Sequence, residues 1–134
     1  MNTLEFIIDT SSNFDYFVYN CDELVCSGNF IATCHTNIRF NFVPKGLNKI
    51  KFYVFKSTSP VAVTDIVFDG WCADHATLSC KYFPIENEVE DLGTFFSGSH
   101  LSRDGFMLLA FQWPFDEWYF NWIDKEWNQL FLSS

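Results

Sequence analysis

Hydrophobic and polar residues alternate in short runs along most of the chain. The clearest run is residues 38–42, Ile-Arg-Phe-Asn-Phe, with an apolar side chain at every second position. Apolar and β-branched runs of similar length occupy residues 4–9, 14–20 and 61–68. Because successive side chains of a strand point to opposite faces, this pattern predicts half-buried β-strands. Short strands at regular spacing predict a mostly β fold, a jelly-roll-like antiparallel β-sandwich.

Turn residues separate the predicted strands. Pro44-Lys45-Gly46 follows the run at 38–42, Asp69-Gly70 closes the run at 61–68, and Ser27-Gly28-Asn29 predicts a further turn. Residues 105–113 are almost continuously apolar and predict a central strand that is buried on both faces. At 134 residues, the chain is predicted to form a single sandwich domain over residues 1–134.

The end of the chain has a different periodicity. After Pro114, large apolar residues recur at three- and four-residue steps, whereas Glu117, Asn121 and Asp124 fall on the opposite side. This spacing predicts a short amphipathic helix over about residues 115–131. A strand with Trp118, Phe120 and Trp122 on one face is the alternative.

Aromatic content changes the picture of the surface. One fifth of the residues are aromatic, and Phe alone occurs 17 times. A small core has limited room for rings that each bury roughly 150–250 Å², so some rings are expected at the surface, against a partner or a ligand. Tryptophan and tyrosine are favoured at interfaces. The candidate interface residues are Trp113, Phe115, Trp118, Tyr119, Trp122 and Trp127.

Charge argues against nucleic acid and membrane partners. The net charge is −9, and residues 68–134 carry eleven acids against three bases. Phosphate backbones need clustered bases. The densest cluster, Lys45, Lys49, Lys51 and Lys56, is interpreted as solvated lysines on a strand. Residues 1–9 have no basic start and no long apolar stretch, so we expect no signal peptide, and no apolar run in the sequence is long enough for a transmembrane segment. We therefore expect it to be made in a cytoplasm, with its five cysteines reduced.

Candidate chemistry is limited to metal binding. The three histidines fall in no catalytic motif, so the sequence predicts no enzyme. Calcium prefers carboxylate and other oxygen ligands. Asp65, Asp69 and Asp74 follow one another around a predicted strand end, and they are the candidate calcium ligands. A solvated acidic loop is the alternative. No other cofactor is predicted.

Two stretches resemble known families. Residues 47–70 are similar to the jelly-roll sandwiches of calcium-dependent carbohydrate-binding modules, in which a strand ends in an acidic turn at the ligand edge. The segment Phe111-Gln112-Trp113-Pro114-Phe115, followed by Trp118 and Trp122, resembles the C-termini of small accessory or structural sandwich proteins of tailed marine phages. The resemblances imply a jelly-roll-like architecture and a role in a virion.

Two functional hypotheses follow. The first is a non-enzymatic structural or accessory subunit of a virion, of the capsid-decoration type. It would be an oligomer that assembles with protein subunits through its aromatic surface. The second is a carbohydrate-binding module, assisted by calcium, with a glycan as its partner. Both hypotheses depend on aromatic rings that the chain does not hide in its own interior.

Overall fold

A computed structural model of the protein describes residues 2–72, 80–84, 96–97, 100–101, 104–115 and 117–121. Eleven strands fall within these ranges. Their bounds are β1 Asn2–Asp9, β2 Phe14–Asn20, β3 Glu23–Phe30, β4 Asn37–Phe42, β5 Leu47–Phe55, β6 Val61–Phe68, β7 Trp71–Cys72, β8 Lys81–Pro84, β9 Phe96–Ser97, β10 His100–Leu101 and β11 Gly105–Gln112.

The strands form two antiparallel sheets that pack as a sandwich. The five-stranded sheet has the order β10-β6-β1-β4, with β7 beside the end of β6, and the six-stranded sheet has the order β3-β2-β5-β11-β8-β9. Every strand pair is antiparallel. From β3 to β6 the chain changes sheet at each step, so neighbours in sequence face each other across the core. The predicted mostly β sandwich is confirmed.

The core is formed by the side chains that point inward on each strand, at every second position. On β1, Phe6 is fully buried, and its ring centroid lies 5.5 Å from that of Phe40 in the same sheet and 5.4 Å from that of Phe52 in the opposite sheet. Burial of one such side chain contributes about 1.5–3 kcal/mol. β11 lies between β5 and β8, with Met107, Leu109 and Phe111 facing the core, as expected for a central strand.

Two local features differ from the sequence prediction. The turn predicted at Ser27–Asn29 is wrong, because β3 continues through it to Phe30. Gly28 lies under the ring of Tyr16, where an added Cβ would come within 2.8 Å of the Tyr16 hydroxyl oxygen, so the glycine serves packing and not a turn. In β6, the register with β1 skips Thr64 between Val63 and Asp65. This bulge reverses the alternation, so Val63 and Ile66 both face the core.

The start of the predicted helix is confirmed. Residues 115 and 117–121 are helical and form α1, and the Trp118 N–H donates to the Pro114 carbonyl at 3.2 Å. Phe115 and Tyr119, one helical turn apart, are buried against the end of the sandwich. Residues 122–131 of the predicted helix lie outside the described residues. No helix in the described ranges is both long enough and apolar enough to cross a bilayer.

The side chains of Cys21, Cys26, Cys34 and Cys80 are thiols and not disulfides. Burial raises the pKa of Cys80 to about 12 and that of Cys26 to about 11. Both therefore stay protonated at neutral pH and act as small apolar side chains.

Two asparagines carry the buried polar contacts of the β4–β5 connection. The Asn48 side chain accepts a hydrogen bond from the Lys45 N–H at 2.8 Å and donates to the Lys45 carbonyl at 2.8 Å. Asn20 donates to the Asn48 side-chain oxygen at 3.0 Å and accepts from the Lys49 N–H at 3.2 Å. Both side chains are buried, so each amide replaces contacts that water would otherwise make.

Replacing Asn48 tests this network. Asn48→Ala removes the side-chain partner of the Lys45 N–H, of the Lys45 carbonyl and of the Asn20 side-chain NH2 group. We expect the free energy of unfolding to fall by about 2–4 kcal/mol in urea titrations. The control is Asn41→Ala, which removes an exposed amide and should cost less than about 1 kcal/mol. Equal losses for the two variants would contradict the assigned role of the network.

Asp104 fixes the turn between β5 and β6. Its carboxylate accepts hydrogen bonds from the Lys56 N–H at 2.8 Å, the Ser57 N–H at 3.0 Å and the Ser57 hydroxyl at 2.6 Å. Partial burial raises the pKa of Asp104, but the hydrogen bonds from Ser57 and Lys56 outweigh it and hold the pKa below its ordinary value. Lys56 has a positive φ of 60°, and the carboxylate stabilises this strained turn.

A depressed pKa in the folded state gives stability that is present above the unfolded value, about 3.9, and is lost as the pH falls through the folded value. We therefore expect the stability difference between wild type and Asp104→Asn to be largest at neutral pH and to shrink below about pH 4. Urea titrations between pH 6 and pH 2.5 measure it. Ser57→Ala should reduce the same pH dependence in part. A difference that is constant with pH would contradict this prediction.

Candidate functional site

Exposed aromatic rings concentrate on two surfaces of the sandwich. The first lies at the end where β6, β7, β11 and α1 meet, and we call it the end cluster. Its rings are those of Phe68, Trp71, Phe111, Trp113, Phe115, Trp118, Tyr119 and Phe120. The second is the outward face of the six-stranded sheet, which we call the outer face.

The end cluster has an inner layer that supports its exposed rings. Phe115 is buried, stacks on Phe68 with a centroid distance of 4.4 Å and lies 5.1 Å from Phe111. Tyr119 is also buried and meets Trp71 edge to face at 4.9 Å. These rings fix the positions of their exposed neighbours because each is held by several contacts.

Three rings of the end cluster face solvent. Trp71 is 39% exposed, Trp113 is 38% exposed and Phe120 is 57% exposed. The centroids of Trp71 and Phe120 lie 5.8 Å apart, and Trp113 lies 5.9 Å from Phe68. Exposed, rigidly supported rings at one place on a surface indicate a binding site for an apolar or flat ligand surface.

The structure divides the predicted interface residues into different roles. Trp113 is exposed and Trp118 is half-buried, whereas Phe115 and Tyr119 are buried and support the surface from below. Trp122 and Trp127 lie outside the described residues. The sequence prediction missed Trp71 and Phe120. Trp71 is more than forty residues before Trp113 and the α1 rings, and the pairing of β7 with β6 sets it opposite Phe68 at this end of the sandwich.

The turn that carries Trp71 depends on Asp69. Asp69 and Gly70 have positive φ values of 49° and 82°. The Asp69 carboxylate accepts hydrogen bonds from the Thr3 N–H at 2.7 Å and the Asn2 amide at 2.7 Å, and the Asp69 N–H donates to the Thr3 carbonyl at 2.9 Å. These contacts tie the end of β6 to the start of β1, and so they position Trp71 against α1.

The predicted calcium ligands do not form a closed set in the described residues. Asp65 lies in β6 and Asp69 just beyond its end, about 13 Å apart at the rise of an extended strand. Both Asp69 oxygens already accept hydrogen bonds. Asp74 lies outside the described residues. No group of three His, Cys, Asp or Glu side chains suited to a metal ion occurs in the described ranges. The calcium site stays a prediction.

The outer face carries a second group of rings. On β2, Phe17 and Tyr19 point outward, and on β5 Tyr53 and Phe55 do the same. Phe17 and Phe55 meet edge to face at 5.8 Å, and Tyr19 and Tyr53 meet edge to face at 5.6 Å. Phe17 is 38% exposed and the other three rings are partly exposed.

Two lysines and a shallow cavity lie beside these rings on the outer face. Lys49 and Lys51 project from β5 on the same side as Tyr53. A shallow cavity of about 140 Å³ is lined by Tyr19, Cys21, Asp22, Lys51 and Tyr53. From sequence, Lys49 and Lys51 are interpreted as solvated, and the pattern does not predict this cavity. The missing information was the pairing of β2 with β5, which sets Tyr19 opposite Lys51.

Comparisons with known proteins identify the fold. No protein-family model matches the chain, and no curated protein matches it. Two solved structures of the module vCBM60 are similar in fold. In one, vCBM60 is in complex with galactobiose; it has a TM-score of 0.54 and 10% sequence identity over 80% of this chain and 96% of that chain.

The other solved structure is the selenomethionine form of vCBM60. It has a TM-score of 0.55 and 13% identity over 81% of this chain and 90% of that chain. It is described with a circular permutation that links two families of calcium-dependent carbohydrate-binding modules. The resemblance to the sandwiches of such modules is thereby confirmed for the fold. Neither structure bears on a virion role.

Asp69 allows a direct test of its structural role. Asp69→Ala removes two hydrogen bonds and places alanine at a positive φ, so we expect the free energy of unfolding to fall by about 1–2 kcal/mol. Thermal unfolding should show the same loss in calcium and in EDTA. Asp9→Ala, at another exposed carboxylate, is the control and should change stability by less than about 0.5 kcal/mol. A loss seen only with calcium would assign Asp69 to a metal site instead.

Proposed function

We propose that the protein is a non-catalytic carbohydrate-binding module that binds sugars at the end cluster. The observation that carries the proposal is the set of exposed rings of Trp71, Trp113 and Phe120, held in place by buried rings beneath them. The likeness of the fold to a carbohydrate-binding module supports it. The galactobiose complex of that module makes a galactan-type or other neutral glycan the first ligand to examine.

Sugar rings have one apolar face of C–H groups and a rim of hydroxyls. A tryptophan or phenylalanine ring can cover the apolar face while the hydroxyls stay in contact with water or with polar side chains. Preformed rings lose little conformational entropy when the sugar binds. Trp71 and Phe120, 5.8 Å apart and tilted by 38°, form a two-ring platform of this kind.

Calcium assistance is a separate part of the proposal. It requires Asp74 to join Asp65, within β6, or Asp69, just beyond the end of that strand. If calcium bridges the sugar and the protein, binding falls on chelation and in Asp74→Asn. If stacking alone supplies the affinity, both changes leave binding intact. The ring platform does not depend on which of these holds.

Assembly with other proteins is the second candidate function. The same exposed rings favour it, because Trp71, Trp113 and Phe120 would bury apolar area against another subunit. A structural or accessory subunit of a virion would then use this surface. Sedimentation velocity separates the candidates: an assembling chain forms oligomers that Phe120→Asp disrupts, whereas a sugar-binding module stays monomeric and still responds to glycans.

The end cluster predicts a defined mutational response. Affinity electrophoresis in gels that contain soluble neutral polysaccharides should show retardation of the wild type. Trp71→Ala and Phe120→Ala should each weaken binding about 5- to 30-fold, because each removes a ring worth about 1–2 kcal/mol of burial. Ile31→Ala, at a partly exposed apolar side chain just after β3, at the opposite end of the sandwich, should have no effect. Retardation that these ring variants leave unchanged would refute binding at the end cluster.

A further inference from the structure

We propose that the outer face is a second binding surface, and that it binds acidic polysaccharides, with carboxylate or sulfate groups on the sugars. The proposal adds a site and a ligand charge to the proposed carbohydrate-binding function, and it rests on that function. The outer face is distinct from the end cluster, since its rings belong to β2, β5, β8 and β11 and contact none of the end-cluster rings described above.

The first argument is the arrangement of the rings. Tyr53 and Phe55 lie two positions apart on β5 with nearly parallel planes, 3° apart, and a centroid distance of 6.0 Å. This spacing is comparable to the length of one sugar unit in a linear chain. Phe17 and Tyr19 flank the two rings from β2. Because the β2 rings meet the β5 rings edge to face, at 75° and 80°, the four rings form a continuous but uneven aromatic platform against which sugar units can pack.

The platform is rigid because its strands are anchored from the other side. On β5, Phe52 and Val54 alternate with the outward rings and are fully buried, and so is Val18 on β2. Tyr53 also contacts Phe106 on β11 at 4.9 Å, and Phe106 stacks on Phe83 of β8 at 4.8 Å. A surface that is ordered before binding loses less entropy when a ligand docks.

The second argument is charge. Lys45 pairs with Glu23 at 3.2 Å and Lys56 pairs with Asp15 at 3.5 Å, both at the margins of the outer face. Within the described ranges, Lys49 and Lys51 have no acidic partner. The Lys51 ammonium lies 5.6 Å from the centroid of Phe106, which holds it over the rings. Lysines beside aromatic rings can bind a sugar that carries an anionic group. This positive charge is local, because the whole chain is acidic with a net charge of −9.

The third argument is the cavity, which selects a sugar over a nucleic acid. Its lining combines the Lys51 ammonium, the Asp22 carboxylate and the rings of Tyr19 and Tyr53. A sugar offers hydroxyl donors to the carboxylate, an anion to the ammonium and C–H faces to the rings. Single-stranded DNA has no sugar hydroxyls along its chain, so it offers the Asp22 carboxylate donors only from its bases.

The test compares acidic polysaccharides with their neutralised forms. The probes are polygalacturonate and its methyl ester, alginate and its ester, and a sulfated galactan and its desulfated form. In affinity electrophoresis of the full chain, at least one acidic probe should bind about tenfold more tightly than its neutral form. This preference should weaken as sodium chloride is raised to 0.5 M, through screening. No preference for any acidic probe overturns the proposal.

Variants locate the site. Lys51→Gln and Lys49→Gln should each reduce binding of the acidic probe about five- to tenfold and leave the neutral form unaffected. Lys56→Gln, at a lysine already paired with Asp15, is the matched control and should stay within twofold of wild type. Tyr53→Ala should weaken both forms. The lysine side chains project outward from β5, so their variants keep the test decisive even if Tyr53→Ala unfolds.

Two further arms separate the possible failures. Trp71→Ala should leave acidic binding unchanged; if it abolishes acidic binding while Lys51→Gln does not, the outer-face proposal is wrong and the end cluster is the site for both ligands. If neutral glycans bind nowhere but acidic ones bind through Lys51, the end-cluster function fails and the outer face stands. Tighter, Lys51-dependent binding of oligo-dT than of every acidic polysaccharide would overturn the proposal in favour of single-stranded nucleic acid.

Discussion

The fold depends on the contact between two layers of phenylalanine rings in its interior. Phe6 on β1 reaches Phe52 on β5 across the gap between the sheets, and Phe40 packs beside Phe6 in the same layer. Strict alternation along β1, β4 and β5 puts these rings inward. A shift of any one strand by a single residue would turn its apolar set to solvent. The interior therefore fixes the register, and the register decides which side chains remain outside.

The same register also determines which aromatic rings face solvent. On β5 the inward positions are filled by Ile50, Phe52 and Val54, so Lys51, Tyr53 and Phe55 must face outward. At the end of the sandwich, Phe115 and Tyr119 close the gap between the sheets, which leaves their neighbours on α1 and β7 at the surface. Both candidate sites are consequences of how the core is filled, and this explains why their rings are rigidly placed.

Local sequence patterns predicted the strands well. They predicted poorly the surfaces that form when the strands come together. The alternation at 38–42 and the turn residues around 61–68 gave β4 and β6 almost to the residue. The bulge at Thr64 and the strand through Gly28 were missed, because each depends on a partner strand or a neighbouring ring and not on local preference. Trp71 joins the end cluster only through pairing of β7 with β6, and Tyr19 reaches Lys51 only through pairing of β2 with β5. The position of Trp71 beside α1 and that of Tyr19 beside Lys51 were missed, because each joins residues that are far apart in sequence.

Like β6, β3 contains a bulge, and it affects how other molecules can approach the sheet. β3 is one edge strand of the six-stranded sheet, and its pairing with β2 skips Val25 between Leu24 and Cys26. An irregular edge offers no continuous row of amide and carbonyl groups for another chain to extend the sheet. Edge-to-edge association of sheets through β3 is therefore disfavoured. At the β3 edge, another molecule therefore meets side chains and not a regular row of backbone groups.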